Sequence, residues 1–259
     1  MEIRDRVVVV TGGGGGIGGA LCRRFAAEGA AAIVVADIDR QAAEAVAAEV
    51  GGMSVVTDVA VERAVRTLVR KTLDVHGRID VYCSNAGIAM GGGPEAPDEA
   101  WQRSWDVHVM AHVYAARAVL PGMLDRGEGY IVGTVSAAAL LNHVLAAPYA
   151  TSKAAALSFF EWLAIAYGNR GIRVSAVCPQ GVRTAMLARE GERSFLASGA
   201  LEPDDVANAV VRAMRDEQFL ILPHPEVAEY FRRKASDYDR WLRGMRRLRS
   251  RVDLPGSVR

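Results

Sequence analysis

The sequence predicts an α/β fold, a doubly wound parallel sheet of about seven strands with helices on both faces. Two observations support this fold class. Short runs rich in valine and isoleucine alternate with longer stretches that have helical periodicity. The short runs are apolar almost throughout, as parallel strands are when both of their faces are buried. Repeated strand–helix–strand units of this kind imply right-handed crossovers.

The predicted strands and helices alternate along the chain. The strands are predicted at residues 6–10, 32–37, 53–57, 79–84, 129–135, 172–178 and 219–222. The helices are predicted at residues 17–28, 40–49, 60–75, 98–126, 149–169 and 203–215. Because ligands of doubly wound sheets bind beyond the carboxyl ends of the strands, the residues that follow each strand are the first candidates for function.

The composition is that of an ordinary soluble enzyme. The 259 residues are 51% hydrophobic and carry a formal net charge of +1, which gives no sign of attraction to nucleic acid or membrane. The N-terminus lacks a signal-peptide core, and polar residues and a proline interrupt the apolar stretch 131–150. We therefore predict a single cytoplasmic domain over residues 1–259. The distant cysteines Cys22, Cys83 and Cys178 read as reduced and buried, and no metal site is implied.

The C-terminal tail, residues 226–259, differs from the rest in charge. It holds ten basic and five acidic residues. A solvated amphipathic helix is the simplest interpretation of this pattern. A subunit contact and a lid over an anionic ligand are the alternatives.

A glycine-rich segment, Thr11 to Gly18, follows the first strand and opens the first helix. Glycines at such a junction let the backbone approach a pyrophosphate, whose charge is stabilised by the unpaired N–H groups of the helix N-terminus. Asp37 lies 19 residues beyond Gly18, at the end of the second strand. A carboxylate there accepts hydrogen bonds from an adenosine ribose and repels a 2′-phosphate, which favours NAD over NADP. Arg40 is near enough to keep NADP open.

Tyr149 and Lys153 are four residues apart on a predicted helix and therefore share a face. A nearby ammonium stabilises a phenolate, so Tyr149 could exchange a proton with a substrate alcohol or carbonyl. The spacing alone is common, but only three of the 31 basic residues are lysines. A surface cation here would usually be arginine, whereas a compact ammonium suits contact with both a ribose and a phenolate.

Taken in order, these motifs resemble those of the short-chain dehydrogenase/reductase family, over residues 11 to about 184. The resemblance rests on these motifs: Thr11-Gly-x-x-x-Gly16-Ile17-Gly18, Asp58-Val59, Asn85-Ala86-Gly87, Ser136 and Tyr149-x-x-x-Lys153. It implies a Rossmann-type fold and an NAD-dependent oxidoreductase. Ser136 matches the serine that hydrogen-bonds the substrate oxygen, and Lys153 the lysine that also bonds the nicotinamide ribose.

The resemblance also implies the cofactor contacts. Asp58 and Val59 match positions beside the adenine ring, whereas Val182 and Thr184 match positions at the nicotinamide end. The full set expected to bind the cofactor is Gly12, Gly15, Gly16, Ile17, Gly18, Asp37, Ile38, Asp58, Val59, Asn85, Ala86, Gly87, Tyr149, Lys153, Val182 and Thr184.

Two residues depart from the family pattern. His108 stands where relatives have an asparagine that supports a water leading from the lysine to solvent. A neutral histidine could still hold that water, or could be purely structural. Gln180 follows Pro179 where relatives have glycine, and either contacts the substrate or points away.

The loops expected to form the substrate pocket are mostly apolar, at residues 89–93, 140–144 and 186–188. They favour a lipophilic secondary alcohol or ketone. An NADPH-dependent carbonyl or acyl-thioester reductase is the first alternative, and a non-enzymatic NAD-binding sensor or scaffold is the second. Since relatives commonly form homotetramers, a homo-oligomer, tetramer or dimer, is expected.

Overall fold

Seven parallel strands form one sheet in the computed structural model, which describes residues 1–190 and 196–252. Their order is β3-β2-β1-β4-β5-β6-β7. The strands are β1 (Val7–Thr11), β2 (Ala32–Asp37), β3 (Met53–Val56), β4 (Val81–Ser84), β5 (Gly129–Thr134), β6 (Ile172–Val177) and β7 (Leu220–Ile221). The strand order reverses at β1 and β4, which creates a crevice at their carboxyl ends. The predicted fold class is confirmed.

The apolar strands are explained by two hydrophobic cores, one on each face of the sheet. Val9 of β1 packs into one core, while its neighbours Val8 and Val10 pack into the other. All three side chains are fully buried. Because successive side chains of a strand point to opposite faces, a sheet covered on both sides requires apolar residues at every position.

The helices cover the sheet largely as predicted. They are α1 (Gly16–Ala27), α2 (Arg40–Val50), α3 (Glu62–His76), α4 (Asp98–Trp105), α5 (Ala111–Arg126), α6 (Ala137–Leu141), α7 (Ala147–Tyr167), α8 (Ala185–Glu190), α9 (Pro203–Arg215), α10 (Glu226–Ser236) and α11 (Tyr238–Arg251). A 3-10 turn, Gly168–Arg170, extends α7. The short helices α6 and α8 were not predicted, since five or six residues are too few to reveal a period.

The single helix predicted over residues 98–126 is interrupted. A π-helical segment, Asp106–Met110, joins α4 to α5 and contains His108. Such segments insert an extra residue into a helical turn and occur often at functional sites. One extra residue changes the hydrophobic pattern of a long helix too little for the sequence alone to reveal it.

The C-terminal tail forms two helices instead of one solvated helix. Asp237 separates them, and its carboxylate accepts a hydrogen bond from Arg240 N (2.9 Å) as the N-cap of α11. Tyr230 and Trp241 pack against the core on one face of the sheet. The predicted tail residues 253–259 lie outside the described residues. No helix in the described ranges is long and apolar enough to cross a membrane.

Candidate active site

One large cavity, of about 2070 Å³, opens at the carboxyl ends of the strands. Every residue that the sequence assigned to catalysis or to cofactor binding lines this cavity except Gly18. Of the loops expected to form the substrate pocket, residues 89–91, 141–143 and 186–187 line it, whereas residues 92–93, 140, 144 and 188 do not. The cavity is larger than a typical pocket for one small ligand, about 300–1,000 Å³, and suits a dinucleotide with a second molecule beside it. The described residues contain no cluster of three or more His, Cys, Asp or Glu placed to hold a metal ion.

The glycine loop forms a cradle for an anion. Gly12 has φ +64°, and a Cβ there would lie 2.8 Å from Ala86 Cα, so only glycine fits. Gly15 begins α1 with no side-chain cap, and a Cβ on it would meet nothing within 4 Å. Gly15, Gly16 and Ile17 line the cavity at the start of α1, and the first N–H groups of a helix have no partner within the helix, which fits a pyrophosphate.

Gly18 has a packing role behind this cradle. A Cβ on Gly18 would lie 2.0 Å from Gly12 O and 2.6 Å from Asn85 Nδ2. Position 18 is therefore a glycine because α1 packs closely against the loop that precedes it. In this structure Gly18 supports the cradle without lining it.

Asp37 stands at the end of β2 and supports the same loop. One carboxylate oxygen accepts a hydrogen bond from Gly14 N (2.9 Å), and the other accepts one from Asp39 N (3.0 Å). The adjacent Ile38 side chain is exposed and also lines the cavity. The carboxylate retains lone pairs that can accept further hydrogen bonds from ribose hydroxyls.

The ends of β1, β4 and β5 are joined through Asn85. Its side-chain Nδ2 donates to Thr11 O (3.0 Å), and its Oδ1 accepts from Thr134 Oγ1 (2.9 Å). Thr11 Oγ1 in turn accepts from Asn85 N (3.0 Å). Farther along the cavity, Asp58 lies 3.8 Å from the guanidinium of Arg103. These bonds fix the floor of the cavity.

Lys153 and Tyr149 project from the first turns of α7. Lys153 Nζ donates to Thr134 O (2.9 Å) and lies 5.8 Å from the centroid of the Tyr149 ring. Burial of this ammonium lowers the pKa of Lys153 to about 8. A Cβ on Gly87 would lie 3.7 Å from Lys153 Nζ, so backbone, amine and phenol meet at one point.

Ser136 sits where β5 gives way to α6. Its Oγ accepts a hydrogen bond from Ala138 N (3.0 Å) as the N-cap of that short helix. A hydroxyl that accepts in this way still has its own proton to donate. Ser136 lines the same cavity as Tyr149, so the proton can be directed to a ligand oxygen.

His108 has a protein partner for each ring nitrogen. Nε2 accepts from Ile88 N (3.1 Å), and Nδ1 lies 2.9 Å from Ser152 Oγ. Because a backbone N–H can only donate, Nε2 is unprotonated and a neutral ring carries its proton on Nδ1. Burial, with the Lys153 charge adding to it, holds the pKa of His108 well below its usual range. The ring is neutral and its hydrogen bonds brace Ile88 and Ser152.

Gln180 points toward the tail. Its Nε2 donates to Glu226 Oε1 (2.8 Å), and its backbone N donates to His224 Nδ1 (3.1 Å). Gln180 therefore joins the loop after β6 to the start of α10. Gln180 also lines the cavity, so its bond to Glu226 does not decide between the two possibilities that the sequence left open, contact with the substrate and pointing away.

From the sequence, the tail was assigned to the site only through one alternative, a lid over an anionic ligand, and its cavity-lining residues were not named. They include Tyr230, Arg233, Arg240, Trp241, Met245, Arg247, Leu248 and Val252. Their spacing was a signal: Trp241, Met245, Leu248 and Val252 recur at helical intervals. The pattern reveals an amphipathic helix but not what lies against its apolar face.

The fold and this cavity define a dinucleotide-binding oxidoreductase. A family model described as short chain dehydrogenase matches residues 6–194. The chain belongs to the short-chain dehydrogenase/reductase family, as its motifs predicted. It is therefore an enzyme that uses a nicotinamide cofactor to oxidise or reduce small alcohols or ketones.

Named relatives support this membership. The chain is 33% identical over 236 residues to the 1-deoxy-11-beta-hydroxypentalenate dehydrogenase of Streptomyces exfoliatus, covering 87% of this chain and 86% of that protein. It is 34% identical over 232 residues to the meso-2,3-butanediol dehydrogenase of Serratia marcescens, covering 85% and 92%. A short-chain dehydrogenase/reductase from Burkholderia phymatum in complex with NAD has a TM-score of 0.85 at 27% identity, with 100% of both chains covered.

Proposed function

We propose that this protein is an NAD-dependent dehydrogenase that interconverts a lipophilic secondary alcohol and its ketone. The observation that carries the proposal is the meeting of Ser136, Tyr149 and Lys153 in one cavity with the glycine cradle and Asp37. These groups supply a proton donor, a proton-transfer phenol, a fixed cation and a cofactor site. A binding protein without catalysis needs only the last of these.

The chemistry divides between the cofactor and the side chains. When bound, a nicotinamide would supply the hydride acceptor for oxidation of the alcohol or the hydride donor for reduction of the ketone. Tyr149 takes the hydroxyl proton as the alcohol is oxidised and returns it to the carbonyl in reduction. Ser136 donates a hydrogen bond to the same substrate oxygen, and Lys153 stabilises negative charge on Tyr149.

NAD, as opposed to NADP, is proposed from Asp37. A 2′-phosphate at the end of β2 would face a carboxylate that is already held by Gly14 N and Asp39 N and cannot turn away without breaking both bonds. Arg40, the nearby cation, lies 3.6 Å from Glu44 on the exposed face of α2. The local charge therefore favours an unphosphorylated ribose.

A lipophilic substrate is proposed from the cavity wall beyond Tyr149. Apolar side chains from three loops or helices and from the tail line it, namely Met90, Leu141, Leu145, Met186, Leu187, Trp241, Met245 and Leu248. Burying apolar substrate surface against such a wall contributes about 25 cal/mol per Å². A sugar or other polyol would leave much of this wall unmatched.

The test is NAD-linked turnover across a panel of secondary alcohols, with NADP run in parallel. We expect activity with NAD, and we expect Tyr149→Phe to lower kcat by about a thousandfold because general acid–base catalysis is lost. Full activity of Tyr149→Phe would overturn the mechanism, and tighter binding of NADPH than NADH would overturn the cofactor assignment.

We also propose that the protein forms a homo-oligomer through α7. Phe160 and Leu163 are buried in the core, whereas Trp162 and Ile165 on the same helix are 55% and 82% exposed. Large apolar side chains exposed on one helix face favour a second copy of the chain as partner. Sedimentation velocity should give a dimer or tetramer, and Trp162→Glu should shift it toward monomer.

A further inference from the structure

We propose that the substrate carries an anionic group, a carboxylate or a phosphate, which the arginines of α10 and α11 bind at the outer end of the cavity. This inference rests on the proposed function, since it describes the far end of the molecule whose hydroxyl meets Tyr149. It begins from the way the tail faces the cavity.

Helix α11 turns one apolar stripe toward the cavity. Trp241, Met245, Leu248 and Val252 all line it. Their intervals of four, three and four residues place them on one side of a helix. The wall above the catalytic groups is therefore apolar along the length of α11.

A row of arginines borders this stripe. Arg240 and Arg247, seven residues or about two helical turns apart, both line the cavity. Arg233 of α10, seven residues before Arg240, lines it too. Arg233 is paired with Glu229 (2.7 Å), but neither Arg240 nor Arg247 has a side-chain hydrogen bond or ion pair with a described residue. Two guanidinium groups at the cavity are thus available to a ligand.

Acidic groups near this row do not neutralise it. Among the described residues of α10, α11 and the segment that joins them, Asp237 is the one acidic residue that lines the cavity. Its single negative charge is outnumbered by the positive charges of Arg233, Arg240 and Arg247. Arg189 of α8 lines the cavity from another element and adds positive charge. The outer end of the cavity therefore attracts anions.

The tail is held in this position by its other basic residues. Lys234 Nζ donates to Leu140 O (2.5 Å), and Arg249 donates to Val144 O (2.7 Å). Both acceptors lie in the segment between β5 and α7 that forms the pocket wall. Lys234 and Arg249 thus attach the tail, and Arg233, Arg240 and Arg247 line the cavity. Within the described residues, Arg243 and Arg246 of α11 do neither.

An apolar stripe bordered by guanidinium groups that have no partner among the described residues matches an amphiphile with an apolar body and an anionic end. Arginine binds carboxylates and phosphates through the same planar pair of N–H donors. A free acid and a phosphate-bearing carrier would both satisfy this chemistry. The experiment therefore includes one probe of each kind.

The experiment measures binding of decanoate, decyl phosphate and decanol to the full-length, NAD-loaded protein by calorimetry. We expect at least one anion to bind about tenfold more tightly than decanol, the size of a charge-assisted hydrogen bond. Arg240→Gln/Arg247→Gln should remove that preference and leave decanol binding unchanged. Preference for decanoate alone indicates an acid substrate, and preference for decyl phosphate alone indicates a phosphate-bearing one.

Arg243→Gln/Arg246→Gln is the matched control, since it removes the same charge from the same helix away from the cavity. Equal losses in both double variants, or decanol binding as tightly as both anions, would overturn the inference. Turnover of neutral alcohols with no preference for anions would leave the proposed function standing and this inference wrong. If the protein binds the anions but oxidises no alcohol, the proposed function is wrong and the anion site stands.

Discussion

The cavity has a floor, formed by residues at the strand ends, by His108 and by the first turns of α7, and a roof, formed by α10 and α11. The two regions hold their charges in opposite ways. On the floor, Lys153 and His108 are buried and bonded to protein atoms, and burial shifts their pKa values. In the roof, Arg240 and Arg247 are exposed and bonded to no other described side chain. The difference indicates a division of labour: the floor fixes protonation states for chemistry, and the roof supplies attraction to a ligand.

Among the changes that test this comparison, Lys153→Met has the largest expected effect. Activity should fall at least about a hundredfold, because the cation beside Tyr149 is lost. The free energy of unfolding of the variant should rise. Burial lowers the pKa of Lys153 from 10.5 to about 8, so the cost of burying its charge is fully present below pH 8 and is relieved as pH rises toward 10.5.

Urea unfolding of the cofactor-free protein at pH 7 and pH 9.5 checks this sign. The variant should gain stability relative to the native protein by about 1 kcal/mol or more at pH 7, and the gain should shrink at pH 9.5. Lys71→Met on the exposed face of α3 is the control and should change neither quantity. A variant that is destabilised at pH 7 and more so at lower pH would contradict the assignment of burial as the dominant cost.

His112 does not line the cavity, and it offers a second test of how burial of a titratable group affects stability. Its Nδ1 lies 2.6 Å from Ser84 Oγ, and burial with the nearby Lys153 charge lowers the pKa of His112 from 6.5 to about 3. The native state therefore resists protonation, and its stability is lost as pH falls from 6.5 toward 3. His112→Gln keeps a partner for Ser84 and should remove about 2 kcal/mol of the loss between pH 7 and pH 5.

Chemical denaturation at the two pH values measures this difference. If His112→Gln and the native protein lose equal stability between them, the buried ring does not carry the acid sensitivity. The native protein will still lose some stability through His108, whose pKa burial also holds low. The comparison is therefore made between the two proteins at each pH.

Most residues of the floor could be predicted from the sequence, whereas the position of the roof could not. Strands that are buried on both faces of the sheet are apolar at every position, so the sequence predicts them. The glycine loop and the Tyr149–Lys153 spacing can be predicted because each depends on residues close together in the chain. For the tail the sequence indicates an amphipathic helix and offers a lid over an anionic ligand as one alternative. It does not select the lid, because the segments that α11 faces are distant along the chain. Likewise, no local pattern predicts that His108 lies in a π-helical turn and accepts a hydrogen bond from Ile88 N, which lies in the loop after β4.

Asp37 and Asp39 offer a smaller test, between two carboxylates two residues apart. Asp37 lines the cavity and accepts from Gly14 N, whereas Asp39 caps α2 by accepting from Ala42 N (3.1 Å). Each alanine variant should lower the free energy of unfolding by about 1 kcal/mol. Only Asp37→Ala should also raise KM for NAD, by about tenfold. A matching rise in Asp39→Ala would mean that α2 as a whole, not the Asp37 carboxylate, governs cofactor affinity.

The smallest effect is expected from removing the hydrogen bonds that attach the roof to the rest of the protein. Lys234 and Arg249 each donate one hydrogen bond to a pocket-wall carbonyl from a partly or largely exposed side chain. Lys234→Met and Arg249→Met should each lower the free energy of unfolding by less than about 1 kcal/mol, because solvent replaces the lost bond. Substrate KM should rise about threefold with kcat unchanged, since the roof shifts while the floor stays in place. Arg243→Met is the control. A fall in kcat would show that the tail positions the catalytic groups themselves, and the two regions would then act as one.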